Sequence, residues 1–238
     1  MSPGNRVVSS DRRLAYTTPR PDICAMVPGS ARRILDVGCS TGALGRSMKQ
    51  ARSARAVYGI ERDPLLAGEA RSVLDGVIEA DLSVWNWSAP FDGGQFDCIV
   101  FADVLEHLAE PERILTSALP FLSDDGVIVV SVPNIRHVSA IAAITWGGRF
   151  PRRDRGIFDS THLRWFTIAD IRALIAACGY RVDAEQFSLR WGDRGGGRWN
   201  RVLARLPGAV KSWGFVREFL TYQVCIRAEP VRGGQARR

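Results

Sequence analysis

Short apolar runs alternate with segments of helical spacing along most of this chain. Arg33–Val37, Ala56–Ile60, Phe96–Phe101 and Gly126–Val132 read as strands. The last two are nearly continuous apolar runs, as expected of strands buried on both faces. Ala43–Arg52 has the spacing of a helix. Asp63 predicts the cap of another, with Pro64 at its first position and Gly76 as its stop. Val77–Ile78 is a short third strand leading to Asp81, and Pro111 opens a further helix. Thr167 with Asp170 has the form of a capping box. It precedes apolar residues at 168, 171, 174, 175 and 178, and Gly179 closes that helix. Tyr180–Val182 begins a sixth strand. Leu220–Arg227 alternates apolar and polar positions and reads as a seventh, edge or antiparallel. The order predicts an α/β fold, a doubly wound and mostly parallel seven-stranded sheet covered on both faces.

Two stretches fall outside this alternation. Residues 134–164 and 191–218 are expected to be lid-like insertions forming a substrate cover, because long insertions in compact domains are usually lids, binding loops or disorder. The reading is one domain over 1–229, with residues 1–30 as an N-terminal cap and 230–238 as a disordered tail.

Chemistry is concentrated where strands end. Ile34-Leu35-Asp36-Val37-Gly38-Cys39-Ser40-Thr41-Gly42-Ala43-Leu44-Gly45 is an apolar run, an acid, a small-residue turn and a helix start. In a doubly wound sheet, cofactors bind beyond the carboxyl ends of the strands at such a turn. A dinucleotide fingerprint would place glycines where Ser40 and Ala43 stand. Glu61 ends the second strand about 20 residues on, the offset of a ribose-binding acid, and Asp81 follows the third.

Composition adds little to fold and something to partners. The 238 residues suffice for one large domain. Net charge is +7, and of 32 basic residues only Lys49 and Lys211 are lysines. Arginine suits phosphate or carboxylate recognition, although codon bias explains the excess equally well. The five cysteines (24, 39, 98, 178, 225) form no C-x-x-C pair and fit reduced core thiols. The polar N-terminus, interrupted by Pro3, Pro19 and Pro21, has no secretory pattern, and no apolar run approaches a membrane span. A cytoplasmic protein is expected.

The glycine turn resembles motif I of the class I S-adenosylmethionine (SAM)-dependent methyltransferases, D-x-G-x-G-x-G, with Ser40 replacing the middle glycine. Phe96-Asp97-Cys98-Ile99-Val100-Phe101-Ala102-Asp103-Val104-Leu105-Glu106-His107-Leu108 resembles their motif IV. Likeness is greatest to a bacterial subgroup associated with surface-polysaccharide and glycosyltransferase clusters. That subgroup shares the Tyr16–Asp22 entry, the D-V-L-E-H-L run at 103–108, S-V-P-N at 131–134 and G-x-x-D-x-T-H-L-R-x-F-T at 156–167. The resemblance implies a Rossmann-like fold with SAM held by Asp36, Gly38, Cys39, Ser40, Gly42, Glu61, Arg62, Asp81, Leu82, Ala102 and Asp103. It also sets Arg20 or Tyr16 near the SAM carboxylate. It implies methyl transfer to a sugar, glycan or other small hydroxylated acceptor, such as a nucleotide sugar or lipid-linked sugar.

A hydroxyl acceptor has a proton to lose, which suits histidine. His162 is the preferred base and His107 the other candidate, with a bracing role for His107 equally open. His137 reads as a polar loop residue. Metal independence is expected. The alternative is a divalent cation on Asp103, Glu106, His107 and His162, as in some ubiquinone-pathway and small-RNA 2′-O-methyltransferases. RNA methylation and a catalytically silent SAM-binding regulator are the rival functions, and no added RNA-binding module accompanies the basic insertions. Trp199–Leu220 mixes arginines with aromatic residues, a composition compatible with peripheral membrane contact.

Overall fold

The apolar runs become strands β1 (Arg33–Val37), β2 (Ala56–Glu61), β3 (Gly76–Glu79), β4 (Phe96–Ala102), β5 (Leu122–Pro133), β6 (Tyr180–Leu189) and β7 (Thr221–Pro230). The structure is a computed structural model describing residues 20–232, except 53–54, 86, 88–90, 92, 193–197, 206 and 212. Most of the expected N-terminal cap (residues 1–19, with Tyr16) and residues 233–238 of the expected tail lie outside the described residues.

All seven strands form one mixed sheet in the order β3-β2-β1-β4-β5-β7-β6. The pairings β1–β2, β1–β4, β2–β3 and β4–β5 are parallel, and β7 runs against both β5 and β6. The strand order reverses between β1 and β4, which opens the crevice where ligands of such sheets bind.

Alternation along the strands divides the core into two layers. Leu35, Val37, Ile99, Phe101, Ile128 and Val130 point to one face, where they meet Ile114 and Leu115 of one helix and Ile171, Leu174 and Ile175 of another. Ile34, Val57, Cys98, Val100 and Val129 point to the other, against Leu44, Met48 and Ile23. The helices are α1 (Pro21–Met26), α2 (Ala43–Ala51), α3 (Pro64–Ala70), α4 (Pro111–Ala118), α5 (Val138–Thr145), α6 (Ile168–Ala177), α7 (Arg198–Ala204), α8 (Gly208–Lys211) and α9 (Gly214–Leu220). Caps fall where the sequence sets them. Asp63 accepts from the amides of Leu65 and Leu66, and Thr167 and Asp170 complete a capping box on α6.

Two local expectations, on Gly76 and Pro230, are corrected, and two, on the seventh strand and His137, are made definite. Gly76 does not stop a helix: α3 ends at Ala70, and Gly76 lies in β3 opposite Tyr58. The seventh strand is antiparallel but not at the edge, which β6 occupies. Pro230 belongs to β7 and pairs with Tyr180 rather than beginning a tail. His137 lies in the turn between β5 and α5, as expected, but caps the helix from the core. It is fully buried at the N-terminus of α5, where Nδ1 accepts from the Ser139 amide and Nε2 meets the Arg190 carbonyl.

Both insertions are tied to the sheet. Ala140, Ile157, Phe158 and Tyr222 make a small core of their own. Buried Asn134 donates to the carbonyls of Glu218 and Thr221, and Arg136 pairs with Glu218. The segment after β5 and the segment before β7 therefore meet beside the sheet's carboxyl ends. Trp199–Leu220, read as an interfacial stretch, is broken into short helices at Pro207-Gly208.

Candidate functional site

The turn after β1 is built on left-handed backbone. Gly38, Ser40 and Gly42 have φ of 75°, 50° and 77°. A Cβ on Gly38 would stand 2.7 Å from Val104 Cγ2, so glycine there answers both the backbone angle and the close approach of the next loop. The amides of Gly38 and Cys39 donate to the Ile60 carbonyl at 2.8 and 3.0 Å, fastening the turn to β2. At the tip of β2, Glu61 is held from two sides: Oε2 accepts from the Ser40 amide at 2.9 Å and Oε1 from the Asp63 amide at 2.8 Å. Its carboxylate is thereby fixed beside the turn and remains partly open to solvent.

Asp36 and Cys39, both expected to line the cofactor site, are instead buried beneath it. Pleating explains Asp36, because it shares the face of Ile34 while Leu35 and Val37 take the other. It is 1% exposed, and its Oδ2 has no hydrogen-bond partner. Burial first, then the charge of Glu61, push its carboxyl up to about 7. That value lies above the usual carboxylate range, so the folded state keeps a proton that the unfolded chain has already released. Native stability therefore falls as pH rises through the interval from about 4 to about 7. Asp36→Asn is expected to match the wild type near pH 4 and to exceed it by about 2–4 kcal/mol at pH 8. Denaturant midpoints at the two pH values check this.

At the end of β3, Asp81 accepts from the Ser83 amide at 2.9 Å and from Ser83 Oγ at 2.7 Å. These bonds hold its carboxylate below the usual range. Arg62 stands 3.8 Å from it and is largely exposed. The carbonyls of Leu82 and Ser83 accept from Arg113, which pins the loop after β3.

At the end of β4, Ala102 leads into Asp103, whose φ is 56°. The Asp103 amide donates to the Ser131 carbonyl at 3.0 Å. Its side chain is the hub of a cluster: Arg20 pairs with Oδ2, while Ser131 Oγ and Gln223 Nε2 donate to Oδ1. Arg20 also grips Asp22 and reaches Ser131 Oγ at 2.9 Å. Burial weakens the guanidinium's hold on its proton, but Asp103 and Asp22 outweigh it and keep Arg20 firmly charged. Gln223 was not selected from the sequence. It stands at a polar position of alternating β7, opposite Pro133 of β5, and nothing in the sequence sets it apart.

Below Asp103 lie Glu106, His107 and His162, whose potential ligand atoms all lie within 4.8 Å of one another. Asp103, the fourth member of the expected metal set, is turned toward Arg20 instead. Glu106 is 1% exposed, with Oε2 unpartnered. Burial, reinforced by Asp103, holds its carboxyl well above the usual range. His162 is 9% exposed; Nδ1 meets the Ile157 carbonyl at 3.1 Å, and Nε2 stands 4.0 Å from Glu106. Burial, then His107, lower its affinity for a proton.

His107 is only half-buried and lies edge-on to His162 at 4.7 Å. Its Nδ1 is 3.1 Å from Thr161 Oγ1 and 3.3 Å from the Thr161 carbonyl. The Thr161 hydroxyl spends its own proton on Asp159 at 2.6 Å. Nδ1 must therefore be the N–H, which leaves Nε2 as the basic atom. The amides of Leu163 and Arg164 both donate to the Glu106 carbonyl, so the second insertion boundary is clamped to this cluster. Asp159 and Thr161 belong to the 156–167 motif, but their contact with His107, 54 positions away, is invisible in sequence.

The left-handed turn after β1, the acid at the next strand end and this sheet order mark a Rossmann-like domain of the methyltransferase kind. A family model described as a methyltransferase domain matches residues 11–185, and the chain belongs to that family. It is 28% identical over 158 residues to a malonyl-[acyl-carrier protein] O-methyltransferase of Geobacter sulfurreducens, covering 63% of this chain and 55% of that one. It is 31% identical over 144 residues to a ubiquinone biosynthesis O-methyltransferase of Xanthomonas oryzae pv. oryzae, covering 59% and 56%. The chain thus spans little more than half the length of these curated relatives. Among solved structures, a SAM-dependent methyltransferase of Thermotoga maritima superposes with a TM-score of 0.60 at 16% identity, covering 92% of this chain and 90% of that one.

Proposed function

We propose that this protein is a SAM-dependent O-methyltransferase acting on a sugar or another small hydroxylated acceptor, with His107 as the proton acceptor. The carrying observation is the Asp159–Thr161–His107 chain, which fixes the imidazole tautomer with its basic Nε2 available beside the end of β4. The curated relatives, both O-methyltransferases by name, support oxygen as the target.

The residues fit SAM. In the left-handed turn, Ser40 Oγ is buried without a partner. Glu61 is a preset acceptor for a ribose diol, Asp81 and Leu82 suit the adenine, and Arg20 suits the carboxylate. SAM supplies an electrophilic methyl group on a sulfonium. His107 Nε2 would take the proton that the acceptor hydroxyl gives up as its oxygen is methylated. The protein's part is to hold the oxygen in line, exclude water and accept that proton. The sequence-based preference for His162 gives way here, because that ring is buried and its Nδ1 serves Ile157. We assign it to bracing the loop. In this reading residues 134–164 and 191–218 form the cover over the acceptor, with the N-terminal segment closing the cofactor side.

Glu106, His107 and His162 would also suit a divalent cation, which would lower the acceptor hydroxyl's pKa. The metal-free reading is preferred because Asp103, the fourth member of that set, is committed to Arg20 rather than to the cluster. EDTA-treated protein is expected to retain full turnover. Loss of turnover with recovery on adding Mn²⁺ or Mg²⁺ would reassign the cluster. The acceptor itself is tested by incubating methyl-labelled SAM with nucleotide sugars, envelope glycans and RNA. Label in a sugar fraction supports the proposal, and label confined to RNA overturns it.

A further inference from the structure

The segment between β5 and α6 carries an exposed surface that takes no part in the hydrogen-bonded cluster around His107. α5 is almost wholly apolar, yet only Ala140 in it is fully buried. Ile144 in its last turn, and Trp146 and Phe150 just beyond, are 41%, 81% and 51% exposed. Phe150 is held edge-on by Phe158 and Trp165, with centroids at 4.9 and 5.0 Å, so its exposure is built in rather than incidental. Four arginines, at 149, 152, 153 and 155, follow Trp146, and Asp154 is the only acid between 144 and 155. All of these charged residues are exposed.

Isolated exposed apolar residues need no explanation, whereas a contiguous group presented by a firm base does. Tryptophan favours the boundary between headgroups and acyl chains, and arginine is drawn to anionic lipid. Aromatic and cationic residues also serve single-stranded RNA. Here, however, the aliphatic face of α5 and exposed Ile144 add area that base stacking does not use. Among the described residues no helix is long and apolar enough to cross a membrane, so contact would be at the surface.

We infer that the Ile144–Arg155 stretch docks this protein on an anionic lipid surface, with Trp146 and Phe150 entering the headgroup boundary and the arginines on lipid phosphates. The same segment carries Thr161, which orients His107, and the Leu163 and Arg164 amides bound to Glu106. Resting on the proposed function, this places the methyl-transfer site where a membrane-held acceptor could reach it.

Flotation of the full chain with phosphatidylcholine vesicles containing phosphatidylglycerol, and with phosphatidylcholine alone, tests the docking without any acceptor. Wild-type protein is expected to float with the anionic vesicles only. The double variant Trp146→Ala/Phe150→Ala, and separately Arg149→Glu/Arg152→Glu, should each bind about tenfold less. Calorimetric SAM binding should be unchanged in both, which confirms that they fold. No flotation of the wild type, or flotation indifferent to both variants, overturns the inference. So does a Trp146→Ala/Phe150→Ala protein whose defect is a lost dimer or lost single-stranded RNA binding. A protein that floats but methylates no hydroxyl defeats the proposed function alone; one that methylates without floating defeats the docking alone.

Discussion

Glu61→Ala is expected to weaken SAM binding by about a hundredfold or more. The carboxylate offers two oxygens that the Ser40 and Asp63 amides hold in place. Hydrogen bonds to a charged group contribute about 1.5–3 kcal/mol each. Removing the acceptor of a ribose diol therefore costs roughly two orders of magnitude in affinity. The variant also strands two backbone amides, so the turn itself loosens. Glu61→Gln keeps one acceptor oxygen but not the charge and should fall between the two, about tenfold weaker than wild type. Calorimetry on protein shown to be folded by its melting transition measures both. A change below threefold in Glu61→Ala would detach this residue from the cofactor.

His107→Ala is expected to lower kcat by about 10²–10⁴-fold, the usual contribution of a positioned base. SAM affinity should stay within about twofold, because the ring lies on the acceptor side of the β4 end rather than among the groups fitted to SAM. The melting temperature should stay near the wild-type value, which a bracing role for this ring would not allow. His162→Ala should act differently. That ring is 9% exposed and fastens the Ile157 carbonyl, so its loss lowers the melting temperature first and activity only as a consequence. If His162→Ala abolished turnover in fully folded protein while His107→Ala did not, the two roles would be exchanged.

The sequence made the strands legible because most of β1, β4 and β5 is buried on both faces and reads as nearly continuous apolar runs. It made the turn legible because left-handed backbone at Gly38 and Gly42 demands glycine. It could not place β7. An alternating strand looks alike at an edge or between two antiparallel partners, and only the pairing with both β5 and β6 decides. The turn position of His137 was legible but its burial was not, because nothing local shows that Arg190, 53 positions on, supplies the partner for its Nε2. The polar hub around Asp103 was half legible. Arg20 and Asp103 stand in recognisable motifs, while Gln223 arrives from 120 positions away through strand order alone. Asp36 shows the opposite failure. Its motif position suggested a ligand contact, and pleating turned it into the core.

The most direct measurement is a crystal structure of the full chain with S-adenosylhomocysteine, the demethylated form of the cofactor. The account predicts its ribose hydroxyls on Glu61, its adenine beside Asp81 and Leu82, and its carboxylate drawing Arg20 from Asp103. Ligand density elsewhere on the molecule, with Glu61 still bound only to the two amides, would contradict it.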